Sequence, residues 1–122
     1  MKILFLDDDH QRIKRVKEQC IGHELFIAET AKEAITQLES AVVFDVVSLD
    51  HDLGGETMVT SGNGTGYEVA VFIGQMKIPP QRVIIHSFNP VGAKTMWHAL
   101  PHIPELAIAQ FGSSRYLKVL LC

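Results

Sequence analysis

The sequence predicts an α/β fold in which a parallel sheet is covered by helices on both faces. Short continuous runs of apolar residues alternate with amphipathic segments along the chain, which is the pattern of parallel strands joined by helices. The chain has 122 residues, of which 47% are hydrophobic and 20% charged. This length and composition predict a single domain over residues 1–122 with a core of its own.

Five apolar runs are predicted as strands: 2–6, 24–28, 42–49, 82–87 and 105–111. The segments that follow them are predicted as helices: 9–20, 30–40, 65–77, 90–100 and 113–122. Thr30 with Glu33 has the spacing of a capping box, and Pro90 after Asn89 suits the first turn of a helix. These signals support the second and fourth helices.

The last segment, "SSRYLKVLLC", is the least regular of the predicted helices. Ser113 or Ser114 can cap it, but "YLKVLL" is also compatible with a β-strand. A strand here would extend the sheet or pair with another molecule.

The charge distribution argues against stable binding to duplex nucleic acid. The formal net charge is −3, and the basic residues are scattered apart from one group, Arg12, Lys14, Arg15 and Lys17. The spacing of this group is typical of a solvated helix face, an interpretation that we favour over a phosphate-binding patch.

Neither a targeting segment nor a membrane span is predicted. The stretch "MKILFLDDDH" turns acidic after a few apolar residues, and no apolar run approaches the roughly 18 residues of a membrane span. Cys20 and Cys122 offer no disulfide framework and no metal-ligand spacing. We therefore expect a cytoplasmic protein.

One long irregular stretch, residues 54–66, is rich in glycine and threonine. Within it "GNGTG" resembles part of a dinucleotide-binding fingerprint, but no strand directly precedes it. We favour a loop whose Gly66 lets the chain enter a helix.

Polar residues cluster where three of the predicted strands end, at 7–10, 50–52 and 86–89. Because ligands of an open parallel sheet bind beyond the carboxyl ends of its strands, these segments are predicted to form one cleft. Carboxylates with no lysine among them favour a hard divalent cation. We predict that Asp7, Asp8 and Asp50 bind Mg²⁺ or Mn²⁺; a solvated turn at the start of a helix is the alternative for the "DDD" run.

The stretches "KILFLDDD" and "FDVVSLD" resemble the response-regulator receiver domain. The resemblance implies a receiver-like (flavodoxin-like) three-layer fold with strand order 2-1-3-4-5. It also implies an acidic pair at Asp7 and Asp8, a phosphorylated aspartate at Asp50 and a hydroxyl residue at Ser87. The lysine that receivers carry after strand five is missing, since "AIAQFGSSR" offers only Gln110 and Arg115.

The stretches "LFLDDDHQR", "SLDHDLG", "TGYEVAVFI" and "IIHSFNPVGAKTM" resemble a narrower group, the cyclic-phosphate processing receiver domains. This similarity covers residues 2 to about 97 and implies metal-assisted action on cyclic phosphates. Histidine can move a proton near neutral pH, so we predict His51 as the base and His86 as the acid of such a reaction. Asp52 would orient His51 if the chain bends after Asp50, or would be a further metal ligand.

Three residues around the fourth helix are predicted to bind phosphate. Ser87 is carried over from the receiver pattern, and Asn89 and Gly92 lie where free backbone N–H groups begin the helix. An ordinary capped helix start explains Asn89 and Gly92 equally well.

Three functions remain open at this level. The first is hydrolysis of a cyclic phosphate or related phosphoester on a nucleotide or RNA end. The second is a non-catalytic receiver-like signalling or interaction module, with or without phosphorylation of Asp50. The third is a protein that binds cyclic nucleotides and sequesters them. The expected ligand is a small phosphorylated or cyclic nucleotide, which includes the end of an RNA strand.

Overall fold

The computed structural model describes residues 1–55 and 57–122. Its strands are β1 (Lys2–Leu6), β2 (Glu24–Ala28), β3 (Val46–Leu49), β4 (Arg82–Ile85) and β5 (Glu105–Ile108). Its helices are α1 (His10–Gln19), α2 (Ala31–Leu38), α3 (Gly66–Gly74), α4 (Pro90–His98) and α5 (Ser114–Leu121). Glu56, in the predicted loop 54–66, lies outside the described residues. No helix among the described residues is long and apolar enough to cross a membrane.

The strands form one parallel sheet in the order β2-β1-β3-β4-β5, which confirms the predicted fold. Successive side chains of a strand point to opposite faces of the sheet. In β1, Ile3 and Phe5 therefore pack in one apolar cluster, and Leu4 and Leu6 pack in the other. The first cluster is closed by α1 and α5, and the second by α2, α3 and α4. The result is three layers.

The helix starts follow from local hydrogen bonds. Thr30 and Glu33 form the reciprocal capping box, and the Asn89 side chain accepts from the Gly92 N–H with Pro90 in the first turn. At α5 the cap is Ser113 rather than Ser114. Each cap supplies an acceptor to an N–H that the helix itself leaves without a partner.

The last segment is a helix, which removes the alternative of a sixth strand. Tyr116 and Leu120, four residues apart, are both buried against the sheet, and this spacing puts them on one face of a helix. Packing of that face outweighs the local β-compatibility of "YLKVLL".

Three strands are shorter than predicted. The third begins at Val46 rather than at residue 42, and Val43 in the preceding stretch is 66% exposed. The fourth and fifth end at Ile85 and Ile108. A run of apolar residues predicts burial but does not fix where the chain leaves the sheet.

The register brings three strand ends level with one another. Leu6 is paired with Leu49, and Leu49 with Ile85. One further backbone hydrogen bond joins β3 to each neighbouring strand beyond these pairs. The Asp50 N–H donates to the Leu6 carbonyl (3.0 Å), and the His86 N–H donates to the Leu49 carbonyl (2.9 Å). The residues that follow these strands therefore start side by side.

Gly66 is required for space at the point where the loop enters α3. Its N–H donates to the His51 carbonyl at 2.9 Å, and a Cβ at this position would lie 1.7 Å from the Asp50 carbonyl oxygen. We expect Gly66→Ala to lower the free energy of unfolding by about 1–3 kcal/mol or more, measured by urea denaturation.

Gly62→Ala is the matched control, because nothing lies within 4 Å of a Cβ there. It should change stability by less than about 0.5 kcal/mol. Equal losses in the two variants would contradict the steric explanation.

Candidate functional site

The centre of the site is a group of three buried residues at adjacent strand ends. Asp7 follows β1, Asp50 follows β3 and His86 follows β4; their exposed fractions are 0%, 4% and 0%. Their carboxylate oxygens and ring nitrogens lie within 4.8 Å of one another. Two buried carboxylates this close require a positive charge or a proton to be stable.

The positive charge comes from Arg12 in the first turn of α1. Its Nε donates to Asp7 Oδ2 at 2.8 Å, and its Nη2 donates to Asp7 Oδ1 at 3.1 Å and to Asp50 Oδ2 at 3.4 Å. The prediction of a solvated basic face is therefore wrong for Arg12, whereas Lys14 and Lys17 are exposed. The N-cap Asp9 fixes the start of α1 and so turns Arg12 toward the strand ends.

The two aspartates of this group respond differently to burial. Burial raises the pKa of Asp7, but hydrogen bonds from His86 and Arg12 outweigh that effect and hold the pKa below its usual range. Burial is the main cause that raises the pKa of Asp50, and the nearby charge of Asp7 adds to it, so that the pKa reaches about 6. Asp50 is thus the carboxylate whose charge is least compensated.

An open cleft of about 240 Å³ lies over Asp50. Acidic side chains, one arginine and an aromatic ring are among its lining residues, which are Asp8, Asp9, Arg12, Asp50, Asp52, Gly55, Thr57, Met58 and Phe88. The Arg12 guanidinium also lies 5.6 Å from the centre of the Phe88 ring. We call this the acidic cleft.

The carboxylates fit a divalent cation, but not with three equal ligands. Both oxygens of Asp7 already accept from Arg12, His86 and the Asp9 N–H. Within residues 1–55 and 57–122, Asp50 Oδ2 has only the 3.4 Å contact with Arg12, and Asp8 accepts one bond, on Oδ2, from the Gly55 N–H. Among the described contacts, Asp8 and Asp50 therefore offer the open oxygens, and carboxylate oxygens are the ligands that Mg²⁺ and Mn²⁺ prefer.

His51 is fully buried beside the cleft, and both of its ring nitrogens have partners. Nδ1 lies 2.7 Å from Asp52 Oδ1, and Nε2 lies 2.8 Å from the Ser61 hydroxyl. The chain bends after Asp50, and this bend lets the side chains of the consecutive residues His51 and Asp52 contact each other. Hydrogen bonds from His51, Asn89 and a backbone N–H outweigh the effect of partial burial and lower the pKa of Asp52.

Asn89 and Gly92 are occupied by contacts within the protein. The Asn89 amide donates to Asp52 Oδ1 and to the Val59 carbonyl, both at 3.1 Å, and its oxygen accepts from the Gly92 N–H at 3.0 Å. A Cβ on Gly92 would lie 2.5 Å from the His51 ring. These contacts favour a structural role for both residues over the predicted binding of phosphate, which stays a prediction.

Ser87 lies on the other side of β4 from the acidic cleft. Its hydroxyl accepts from the Asn89 N–H at 2.9 Å, and it lines a cavity of about 510 Å³ between α4 and β5. Gln110 lines the same cavity, and Arg115 donates to the Ile108 carbonyl. Gln110 and Arg115 are the polar residues that this chain offers where receivers have a lysine. Neither is among the described residues that line the acidic cleft.

His86 is held by a chain of buried polar groups on the face of the sheet that α1 and α5 cover. Its Nε2 lies 2.9 Å from Asp7 Oδ2 and its Nδ1 2.7 Å from the Ser48 hydroxyl, which lies 2.7 Å from the Tyr116 hydroxyl. The ring stacks on Phe5 with centroids 4.8 Å apart. Burial raises the pKa of Tyr116, so its hydroxyl stays protonated and can donate to Ser48.

Sequence reasoning missed four residues that build the site: Arg12, Ser48, Ser61 and Tyr116. Ser48 carried a usable signal, because a hydroxyl inside the apolar run "VVSL" must find a partner when buried. The other three carried none, since only the fold brings α1, α5 and the loop to the strand ends.

Comparisons with known proteins agree on the fold. A CheY-like receiver domain protein from Methanospirillum hungatei is 20% identical with a TM-score of 0.69, covering 96% of this chain and 86% of that chain. The response regulator TrrA from Thermotoga maritima, in complex with Mg²⁺–BeF, is 24% identical with a TM-score of 0.69, covering 96% and 93%. Among curated proteins no match was found.

A family model gives the narrower assignment. The model of the cyclic-phosphate processing receiver domain matches residues 2–102, which include all three strand ends and the loop between β3 and α3. The chain therefore belongs to the family of cyclic-phosphate processing receiver domains.

Proposed function

We propose that this chain hydrolyses a cyclic phosphate, or a related phosphoester, on a nucleotide or RNA end with the help of a divalent cation. The observation that carries the proposal is the double role of Asp52, which lines the acidic cleft and binds the His51 ring at 2.7 Å. A proton acceptor is thereby held next to a cleft that contains Arg12 and open carboxylate oxygens. Opening a cyclic phosphate needs proton transfer and positive charge near the phosphoryl oxygens.

Asp8 and Asp50 would hold Mg²⁺ or Mn²⁺, and the bound ion would supply positive charge to the phosphoryl oxygens. Arg12 supplies a further positive charge at the wall of the same cleft. Asp7 belongs to the predicted ligand set, but its oxygens hold Arg12 and His86, so we assign it to positioning.

The two histidines have unequal roles in this proposal. His51 accepts a proton, because Asp52 holds the ring proton on Nδ1 and leaves Nε2, which faces Ser61, unprotonated. His86 has no exposed surface and binds Asp7. We therefore assign His86 to the orientation of Asp7 rather than to direct protonation of the leaving oxygen.

The ligand class is a small phosphorylated or cyclic nucleotide, including the end of an RNA strand. Phe88 at the rim is 45% exposed, and a half-exposed aromatic ring can stack on a base. The two free cysteines are consistent with a cytoplasmic protein. The scattered basic residues of the sequence are consistent with a protein that does not bind duplex nucleic acid.

A signalling module phosphorylated on Asp50 is the second candidate, and the receiver fold favours it. The lack of a lysine among the described residues of the cleft argues against it, because that lysine pairs with the phosphoryl group in receivers. Incubation with acetyl phosphate and Mg²⁺, followed by mass analysis of Asp50, separates the two. A nucleotide-sequestering protein would bind the same ligands without turnover.

The first test is turnover of a panel of cyclic phosphates with Mg²⁺ present: a 2′,3′-cyclic mononucleotide, a 3′,5′-cyclic mononucleotide and a cyclic dinucleotide. We expect ring opening of at least one, measured by phosphorus NMR. His51→Ala should lower kcat by about 10²- to 10⁴-fold, as expected when proton transfer is lost. His102→Ala, which removes an exposed histidine, should leave kcat unchanged.

Wild-type protein that binds these compounds without opening any of them would support sequestration instead. If His51→Ala retains full kcat on a compound that the wild type opens, His51 is not the proton acceptor.

The second test uses the charge of Asp50. Its pKa is raised from 3.8 to about 6, so the folded state binds more protons than the unfolded state between these values, and the free energy of unfolding falls as the pH rises through this window. In metal-free buffer at pH 7.5, Asp50→Asn should raise Tm by about 5 °C relative to wild type. The difference should shrink toward pH 4, where the wild-type carboxyl is protonated in the folded state and about half protonated in the unfolded state.

Adding Mg²⁺ should reverse this order. A ligand that binds only the folded state raises the stability of that state. Millimolar Mg²⁺ should therefore raise the Tm of wild type but not that of Asp50→Asn. The control Glu18→Gln, which removes an exposed carboxylate outside the cleft, should respond like wild type. An equal response in all three proteins would show that Asp50 holds no metal.

A further inference from the structure

The loop between β3 and α3 brings a serine hydroxyl to His51. Ser61 Oγ lies 2.8 Å from His51 Nε2, and His51 Nδ1 lies 2.7 Å from Asp52 Oδ1. A hydroxyl, an imidazole and a carboxylate are thus joined in series through the two nitrogens of one ring. The same order of groups activates a serine as a nucleophile on unrelated folds, where geometry and not sequence position identifies it.

The hydrogen bonds determine where the protons lie. Asp52 is an acceptor only, so Nδ1 of His51 carries the ring proton and donates to it. The Asn89 amide is 3.4 Å from Nδ1 but 3.1 Å from Asp52 Oδ1, which agrees with Nδ1 as a donor. Nε2 is then the acceptor, and the Ser61 hydroxyl donates to it.

Two contacts hold the loop in the position that this hydrogen bond requires. The Met58 N–H donates to Asp52 Oδ2 at 2.7 Å, and the Val59 carbonyl accepts from Asn89 at 3.1 Å. Both partners also contact His51, so the segment just before Ser61 is anchored to the groups that orient the ring. The Ser61 hydroxyl has no other side-chain or backbone partner among the described residues.

Burial restricts what can reach the imidazole. The His51 ring has no exposed surface, since Gly92 packs against one face closely enough that a Cβ would lie 2.5 Å away. Nε2 faces Ser61, which is itself partly exposed. The group that can pass its proton to His51 in this arrangement is therefore the serine.

We propose that Ser61 is the nucleophile of this site, activated by His51 and Asp52. The proposal rests on the proposed function for its natural substrate, a cyclic phosphate, but the reactivity of the serine can be tested without that substrate. It gives the loop between β3 and α3 a function of its own, which is to supply the nucleophilic serine.

The reaction balances with one water. Ser61 Oγ forms a bond to phosphorus while its proton passes to His51 Nε2; one P–O bond of the ring breaks, and the leaving oxygen takes that proton. This leaves a phosphodiester on Ser61. Water then attacks the phosphorus and gives a proton to His51, and the bond to Ser61 breaks as Oγ recovers that proton. The product is a linear phosphomonoester.

The test is labelling with diisopropyl fluorophosphate in the presence of EDTA, followed by peptide mapping. Attack by an activated serine displaces fluoride and leaves a diisopropylphosphoryl group on Oγ. We expect the label on Ser61 at a rate at least about 10²-fold above that of Ser114 in the same molecule, since Ser114 is exposed and has no histidine partner among the described contacts. Asp52→Asn and His51→Gln should slow labelling of Ser61, and Ser114→Ala should not.

Wild-type protein in which Ser61 is labelled no faster than Ser114 would overturn the proposal, and this result does not depend on the folding of any variant. Retained fast labelling of Ser61 in a folded His51→Gln protein would also overturn it. Labelled Ser61 in a protein that opens no cyclic phosphate would instead contradict the proposed function alone. Turnover of a cyclic phosphate with unlabelled Ser61 would leave the proposed function standing without this nucleophile.

Discussion

The buried carboxylate of Asp7 is the interaction on which the rest of the site depends. It has no exposed surface and accepts four hydrogen bonds, two from Arg12, one from His86 and one from the Asp9 N–H. An ionised carboxylate in such a place is stable only if donors replace the lost water. Through these bonds Asp7 fixes the first turn of α1, the arginine over Asp50 and the ring at the end of β4.

A second network lies on the other side of Asp50 and is linked to the first by the chain itself. Asp50 and His51 are consecutive residues after β3, and the first points toward Arg12 while the second points toward Asp52 and Ser61. The bend after the strand is held by the His51 N–H, which donates to Asp50 Oδ1 at 2.8 Å. The network around Arg12 and the network around His51 thus share one strand end.

The departures of this chain from the common receiver pattern have a joint physical explanation. The resemblance to receivers implies a lysine after β5, but here Gln110 follows that strand and lines the cavity beside α4. Arg12 supplies the positive charge from α1 instead. Histidines occupy the positions after Asp50 and before Ser87, and both are fully buried among hydrogen-bonding partners and packed rings. The fold is that of a receiver domain, whereas the side chains at its strand ends differ from the receiver pattern.

The sequence alone determined the order of strands and helices, the parallel sheet and the edge at which polar residues collect, because alternation of apolar runs and caps is a local property. It also indicated Asp7, Asp8, Asp50 and His51, which directly follow strands. Only the tertiary structure decided that Arg12 faces Asp7 rather than solvent, that Tyr116 reaches His86 through Ser48, and that Ser61 meets His51. Those contacts join residues from different elements, and their distances depend on how the helices and the loop pack across the sheet, which no local pattern encodes.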